Sequence, residues 1–312
     1  MEYNFLPTTD IKVSKICLGT MTWGRQNSVS EAFDQMNFSI DNGVNFFDTA
    51  ELYPVPATAD KYAVTEEIIG KWFNDSKKRE KVILATKIAG PGAYTAHIRK
   101  SGFKGNSIEE AVEGSLKRLN TDYIDLYQLH WPERKAPRFG DLDFKYDPND
   151  KWTAIEDVLE NLDRLVQAGK IRYVGLSNET PWGIMKFLQT ALEKNLPRIV
   201  SIQNVYSLVN RIYDTSNSEV SIREQCGLLA YSPLAGGRLS GKYIGNKKPK
   251  NARYTIWPRR FSRHHTKRGE IAIESYFKLA KKYGIRPSTF ANAFVNDRPF
   301  VTSNIIGATT MD

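Results

Sequence analysis

A chain of 312 residues with 41% hydrophobic and 25% charged side chains carries enough apolar surface for a full core, which excludes a disordered polymer and permits one large α/β domain. Its net charge of +9 is confined to one segment: ten Lys/Arg and no Asp/Glu lie between Lys242 and Arg268, leaving −1 for everything else. No apolar run nears the roughly 18 residues that span a bilayer, and Met1-Glu2-Tyr3-Asn4-Phe5 lacks the basic and apolar regions of a signal peptide, so a cytoplasmic protein without a membrane partner is expected.

In chain order, Tyr3 to Val13, with turn-prone Pro7-Thr8-Thr9-Asp10 inside it, reads as a hairpin. Eight short apolar runs follow, at Ile16–Gly19, Asn45–Asp48, Val82–Lys87, Tyr123–His130, Tyr173–Ser177, Ser201–Asn204, Leu228–Ser232 and Asn304–Gly307. Such runs without polar alternation suit parallel strands buried on both faces. Between most of them lie stretches of helical period. Ser30 to Asn42 starts at an N-cap and stops before Gly43; Ser107–Leu119 opens as a capping box with Glu110; Ile155–Ala168 is stopped by Gly169; and Thr180-Pro181 starts another helix with Pro at its tolerated first position. Strand–helix alternation eight strands long predicts a (β/α)8 TIM barrel with an N-terminal hairpin, as a single domain over 1–312. The five residues after Gly307 are too short for an eighth helix, so the expected barrel lacks its last one. Long connections at 88–106, 132–152 and 235–270 each follow a strand, on the face where barrel enzymes build their sites. Cys17 and Cys226 sit in apolar runs as expected free thiols, and no metal site is expected.

Four polar side chains stand at or just past the carboxyl ends of neighbouring runs: Asp48, with Tyr53 five residues on, then Lys87 and His130. Adjacent strands lie about 4.8 Å apart, so these groups fall within reach of one another. A phenol beside an ammonium has its ionisation favoured, a carboxylate can hold that amine, and an imidazole can orient a substrate oxygen. Together they support carbonyl reduction with Tyr53 as proton donor. Singly, each has a plainer reading: a loop acceptor, an exposed aromatic, a snorkelling lysine, a satisfied histidine. Packing alone gives no reason for the set. Hydride must come from a nicotinamide cofactor, because no side chain donates it. The Gly-x-Gly-x-x-Gly fingerprint is absent. Gly236-Gly237-Arg238-Leu239-Ser240-Gly241-Lys242 has P-loop spacing, but Tyr243 stands where a Ser/Thr should bind magnesium; contacts to a cofactor pyrophosphate are the better reading. The basic stretch beyond it suits a solvated loop, a nucleic-acid patch or a clamp for a phosphorylated ligand; without a recognition helix, no nucleic-acid partner is expected.

The segments Asn45-Phe46-Phe47-Asp48-Thr49-Ala50-Glu51-Leu52-Tyr53, Thr86-Lys87 and Gln128-Leu129-His130-Trp131-Pro132 resemble the tetrad motifs of the aldo-keto reductase superfamily, and the likeness runs over nearly the whole chain. The resemblance implies an NADP(H)-dependent reductase of aldehydes or ketones, with Asp48, Tyr53, Lys87 and His130 catalytic. It implies that Ser177, Asn178 and Gln203 meet the nicotinamide carboxamide and that Tyr231 stacks on its ring. Ser232, Leu234, Gly236 and Lys242 would hold the pyrophosphate, and Arg253 the 2′-phosphate, with Gly307 and Thr309 also on the cofactor side. Trp23 and Trp131 would line an apolar pocket for a small carbonyl substrate. In the family a Gln and an Asn following this last motif contact adenosine; they fall past residue 312, so weaker NADPH binding than in a longer relative is expected. A second reading is a cofactor-sensing module similar to potassium-channel beta subunits, which keep the tetrad and turn over slowly. Neither the substrate nor the oligomeric state is legible.

Overall fold

A computed structural model of the protein describes residues 1–258 and 266–311. Strands β1 (Tyr3–Phe5) and β2 (Lys12–Ser14) form the expected antiparallel hairpin. The eight apolar runs become β3 (Ile16–Gly19), β4 (Phe46–Asp48), β5 (Ile83–Ile88), β6 (Ile124–Leu129), β7 (Ile171–Ser177), β8 (Ile199–Val205), β9 (Gly227–Tyr231) and β10 (Val301–Ile306). All are parallel, and pairing of β10 with β3 closes the barrel. The (β/α)8 TIM barrel with a separate hairpin is therefore present.

Alternation along each strand sorts the core into two layers. Inside the barrel Cys17, Phe46, Ala85, Leu126, Leu229 and Ile305 pack together, and Leu6, Ile11 and Val13 of the hairpin segment close the cluster from below. Their chain neighbours point outward: Phe47 and Leu84 pack with Met36, Ile69 and Trp72, while Tyr127, Val174 and Ile202 pack with Ile108, Leu159 and Ile184. Two residues beyond the interior apolar layer, the same inward face carries Gly19, Asp48, Lys87, Gln128 and Tyr231. Period-two geometry thus puts the polar set on a floor of hydrocarbon at the carboxyl rim.

Helices α1 (Val29–Asp41), α2 (Val64–Ser76), α3 (Ser107–Leu119), α4 (Ile155–Gln167), α5 (Pro181–Lys194) and α6 (Asn217–Arg223) follow successive strands. One-turn α7 (Arg253–Ile256), α8 (Lys267–Lys282) and α9 (Pro287–Asn296) lie between β9 and β10. Two helix starts correct the expectations. The N-cap of α1 is Ser28 rather than Ser30, and Ser28 with Glu31 makes a reciprocal capping box. The box expected at Ser107 does not form: its hydroxyl donates to Lys104 O at 2.7 Å, and Asn106 takes the cap position without a side-chain bond. Thr180 caps α5 as expected, accepting from Gly183 N–H. Residues 307–311 form no helix; Asn27 Nδ2 donates to Thr309 O (3.0 Å) and Gln35 Nε2 to Ala308 O (3.3 Å), tying the segment to α1. Both cysteines are buried and free. Among the described residues no helix is long and apolar enough to cross a membrane, and no His/Cys/Asp/Glu group is placed to hold a metal.

Candidate active site

The rim of β4, β5 and β6 brings the four predicted groups together. Lys87, one residue before the end of β5, is 0% exposed; its Nζ donates to Asp48 Oδ2 at 2.7 Å and to Thr49 O at 2.6 Å. The same Nζ lies 5.0 Å from the centroid of the Tyr53 ring. The Tyr53 ring meets His130, which directly follows β6, edge to face at 5.7 Å. The β4–β5 ladder continues past the end of β4 through backbone bonds from Thr49 N–H to Ala85 O (2.9 Å) and Glu51 N–H to Lys87 O (3.2 Å). Tyr53 is therefore carried on a loop stitched to the strand that bears Lys87.

Asp48 is a hub. Besides Lys87, its Oδ1 accepts from Gln203 Nε2 (2.7 Å) and Gln128 Nε2 (3.2 Å), and Gln203 also donates to Gln128 Oε1 (3.2 Å). Gln203, assigned to the carboxamide subsite, thus reaches the tetrad itself. Gln128 and Thr49 are partners that the sequence reading missed. The signal for Gln128 was its position: an amide inside the apolar run Leu126-Tyr127-Gln128-Leu129 must find a buried partner.

The electrostatics depart from expectation in one respect. The phenol of Tyr53 lies well above the usual tyrosine range, first because burial penalises the phenolate, then because Asp48 repels it, while Arg253 pulls the other way. The expected lowering beside Lys87 is not seen, because burial and Asp48 both raise the phenol. Burial lowers the Lys87 amine, and the Asp48 carboxylate opposes that fall. His130 is held well below 6.5, by burial and then by Lys87, and its Nδ1 is buried without a partner among the described residues. The rim therefore presents a loaded phenol and a neutral imidazole.

The opposite rim is built from β7, β8, β9 and the loop after β9. Ser177 donates to Gln203 O at 2.8 Å. Asn178 adopts a left-handed φ of 54°, donates from Nδ2 to His130 O (2.9 Å) and to Ser177 Oγ (3.1 Å), and accepts from the Tyr231 hydroxyl at 2.7 Å. Beyond Tyr231 the backbone is left-handed at Ser232, Ala235, Gly236, Gly237 and Gly241. Leu234 leads into the 3-10 turn over Ala235–Ser240 that Gly236 and Gly237 break. A Cβ on Gly236 would meet the Tyr254 ring at 2.8 Å, and one on Gly237 would meet Lys242 Cε at 2.7 Å. No helix opens at Lys242, so the P-loop spacing has no P-loop structure behind it. Burial and the nearby Arg253 both lower the Lys242 amine; Arg253 opens α7 and is itself lowered by burial. Of the basic stretch, Arg259, Arg260 and Arg263 lie outside the described residues.

The two tryptophans separate. Trp131 packs with Ala50, Leu52, Tyr53 and Ala89, stands 5.0 Å from the His130 ring, and is covered by Tyr94 and Phe139. Trp23 is corrected: at 0% exposure it packs among Met36, Phe47 and Ile68, with its indole donating to Gln35 Oε1 at 2.9 Å. An indole N–H satisfied inside the helix layer is a core residue rather than a pocket wall. At the same carboxyl end of the barrel, Gly307 follows β10 and lies against Gly19, whose carbonyl oxygen would be 2.9 Å from an added Cβ.

A family model described as "Aldo/keto reductase family" matches residues 15–312. Over 100% of this chain and 90% of its own length, "Protein tas" of Escherichia coli is 43% identical. "Uncharacterized oxidoreductase YrpG" of Bacillus subtilis is 34% identical over 100% of this chain and 88% of its own length. A "Putative aryl-alcohol dehydrogenase" of Schizosaccharomyces pombe is 27% identical over 94% of the chain and 84% of its own.

Proposed function

The chain belongs to the aldo/keto reductase family, and from that premise we propose that it is a reductase of aldehydes or ketones, using NADPH and Tyr53 as the general acid. The observation that carries this reading is the buried Lys87–Asp48 pair, at 2.7 Å, with the Tyr53 and His130 rings beside it. The cofactor, when bound, supplies hydride to the carbonyl carbon. Everything else falls to the side chains. His130, neutral at physiological pH, offers one N–H to the carbonyl oxygen and is too weak an acid to compete for the proton step. As the C=O bond becomes C–O⁻, the Tyr53 O–H gives its proton to that oxygen, yielding the alcohol. Lys87 acts once the proton has left, because its ammonium faces the ring that then bears the negative charge. Asp48 keeps that amine aimed, and Gln128 and Gln203 keep Asp48 aimed.

The second rim suits a dinucleotide phosphate. Its left-handed glycine turn lets Tyr254 and Lys242 approach the backbone where a side chain would collide, and desolvated Lys242 and Arg253 supply charge. Ser177, Asn178, Gln203 and Tyr231 would take the nicotinamide end; Ser232, Leu234, Gly236 and Lys242 the pyrophosphate; and Arg253 the 2′-phosphate, which favours NADP(H) over NAD(H). Gly307 and Thr309 border the same side. Trp131, Tyr94 and Phe139 form an aromatic wall beside His130, which favours apolar or aromatic carbonyls, in keeping with the aryl-alcohol named for one relative. The test is a panel of aliphatic and aromatic aldehydes followed by NADPH absorbance. Carbonyl-dependent consumption with a preference for aromatic members is expected. Tight NADPH binding with no consumption on any member would replace the enzyme with a cofactor-sensing module.

A further inference from the structure

Between Asp48 and Tyr53 lies a carboxylate that the chemistry above does not use. Glu51 is 0% exposed. Its Oε1 accepts from Ala89 N–H at 2.6 Å, while its own backbone N–H donates to Lys87 O at 3.2 Å. Those two bonds flank Ile88, the residue after Lys87 on its strand. With the bond from Lys87 Nζ to Thr49 O at 2.6 Å, they join residues 49–51 to residues 87–89 at three points. The carboxylate charge is met from elsewhere: Arg99, on the loop at 88–106, binds it in bidentate fashion at 2.8 and 3.1 Å, and the Tyr62 hydroxyl approaches at 3.4 Å.

We propose that Glu51 and Arg99 form a positioning brace, which fixes the Tyr53 loop against the strand of Lys87 and couples that arrangement to the loop at 88–106. The inference rests on the reductase reading and deepens it: the proton donor and one wall of the substrate cleft move as one body. A bidentate guanidinium–carboxylate pair suits this use, since its two parallel bonds fix orientation as well as distance. Misplacing a reacting group by about 1 Å can lower a rate by about a hundredfold.

A neighbouring pair separates positioning from mere stability. Glu66 is equally buried and bonds Arg118 Nε at 2.7 Å and Thr86 Oγ1 at 2.6 Å. It meets β5 at Thr86, whose side chain faces outward, away from the Lys87 face. Removing its charge disturbs the same strand without breaking any of the bonds that join residues 49–51 to residues 87–89.

The experiment compares Glu51→Gln, Arg99→Lys and Glu66→Gln with wild type, measuring kcat, NADPH Kd and Tm. Glu51→Gln keeps an acceptor for Ala89 N–H and loses the charge that holds Arg99. A fall in kcat of about 10- to 100-fold is expected, with NADPH Kd within about twofold, and Arg99→Lys intermediate. Glu66→Gln should lower Tm to a similar degree with kcat within about twofold. A Glu51→Gln enzyme of wild-type kcat, or an equal kcat loss in Glu66→Gln, overturns the brace. If wild type consumes no NADPH with any carbonyl, the reductase reading fails, and the brace is then read by amide hydrogen exchange over 48–53. Exchange about tenfold faster in Glu51→Gln than in wild type or Glu66→Gln upholds it, and unchanged exchange overturns it.

Discussion

The two rims of the cleft are built by opposite means. On the β4–β6 side, the proposed chemistry falls to side chains at fixed strand positions, locked by register, burial and mutual bonds. On the β7–β9 side much of the surface is backbone, bent through left-handed residues after Tyr231 and packed closely at its glycines against Tyr254 and Lys242. The first rim is rigid, as the proposed proton transfer requires, and its cost is a lysine–carboxylate pair removed from water. The second is proposed to take phosphate, and its cost is backbone strain. Damage to the first should therefore appear in kcat and stability, and damage to the second in cofactor affinity.

The largest expected departure comes from Lys87→Met. It leaves Asp48 buried with only amide donors, and orphaning one partner of such a pair costs about 3–5 kcal/mol; urea unfolding should show that loss, together with loss of turnover. Arg253→Ala probes the other rim. Losing a charge-assisted contact worth about 1.5–3 kcal/mol should weaken NADPH about 10- to 100-fold while leaving NADH and the kcat at saturation near wild type; equal loss for both cofactors would break the assignment of Arg253 to the 2′-phosphate. Gly236→Ala must push the Tyr254 ring aside at φ 67°, with a cost of about 1–3 kcal/mol. Isothermal titration should show it in NADPH Kd, with kcat at saturation within about twofold. A drop in kcat instead would mean that the two rims are not separable.

The smallest effect is one of pH. The folded-state pKa of His130 is depressed below its unfolded value near 6.5. The unfolded chain therefore binds the proton first, and stability present above 6.5 is lost as pH falls below it. Relative to His130→Gln, wild type should lose up to about 1.4 kcal/mol per pH unit below 6.5, read by unfolding midpoints between pH 7 and 5. A constant difference would place a charged imidazole in the site.

The rim that was legible in the sequence is the one whose function resides in side chains. Asp48, Lys87 and His130 could be read as strand-end residues because a parallel strand declares itself as an apolar run, and the residue that closes the run lies on the rim. The interior layer below them followed the same period. Three things escaped. The capping box appeared at Ser107 by pattern, but that hydroxyl bonds back to Lys104 O, three residues earlier, a local bond that competes with the cap. Trp23 was assigned to the pocket by the family resemblance, yet Gln35, twelve residues on, draws its indole into the helix layer. The phenol shift had the wrong sign because adjacency to Lys87 was legible, while burial and the opposing effect of Asp48 were not. Left-handed turns such as Asn178 and Ser232 leave only a faint trace in composition, so the second rim rested on motif resemblance.

The central claim is that the Tyr53 hydroxyl delivers the proton. Substituting Tyr53→Phe removes one oxygen from that rim and touches nothing on the other. Steady-state NADPH oxidation with an aromatic aldehyde, measured beside NADPH titration of the same samples, should show kcat down about 10²- to 10⁴-fold with the cofactor Kd within about twofold. Turnover near the wild-type rate in the phenylalanine variant would contradict the account.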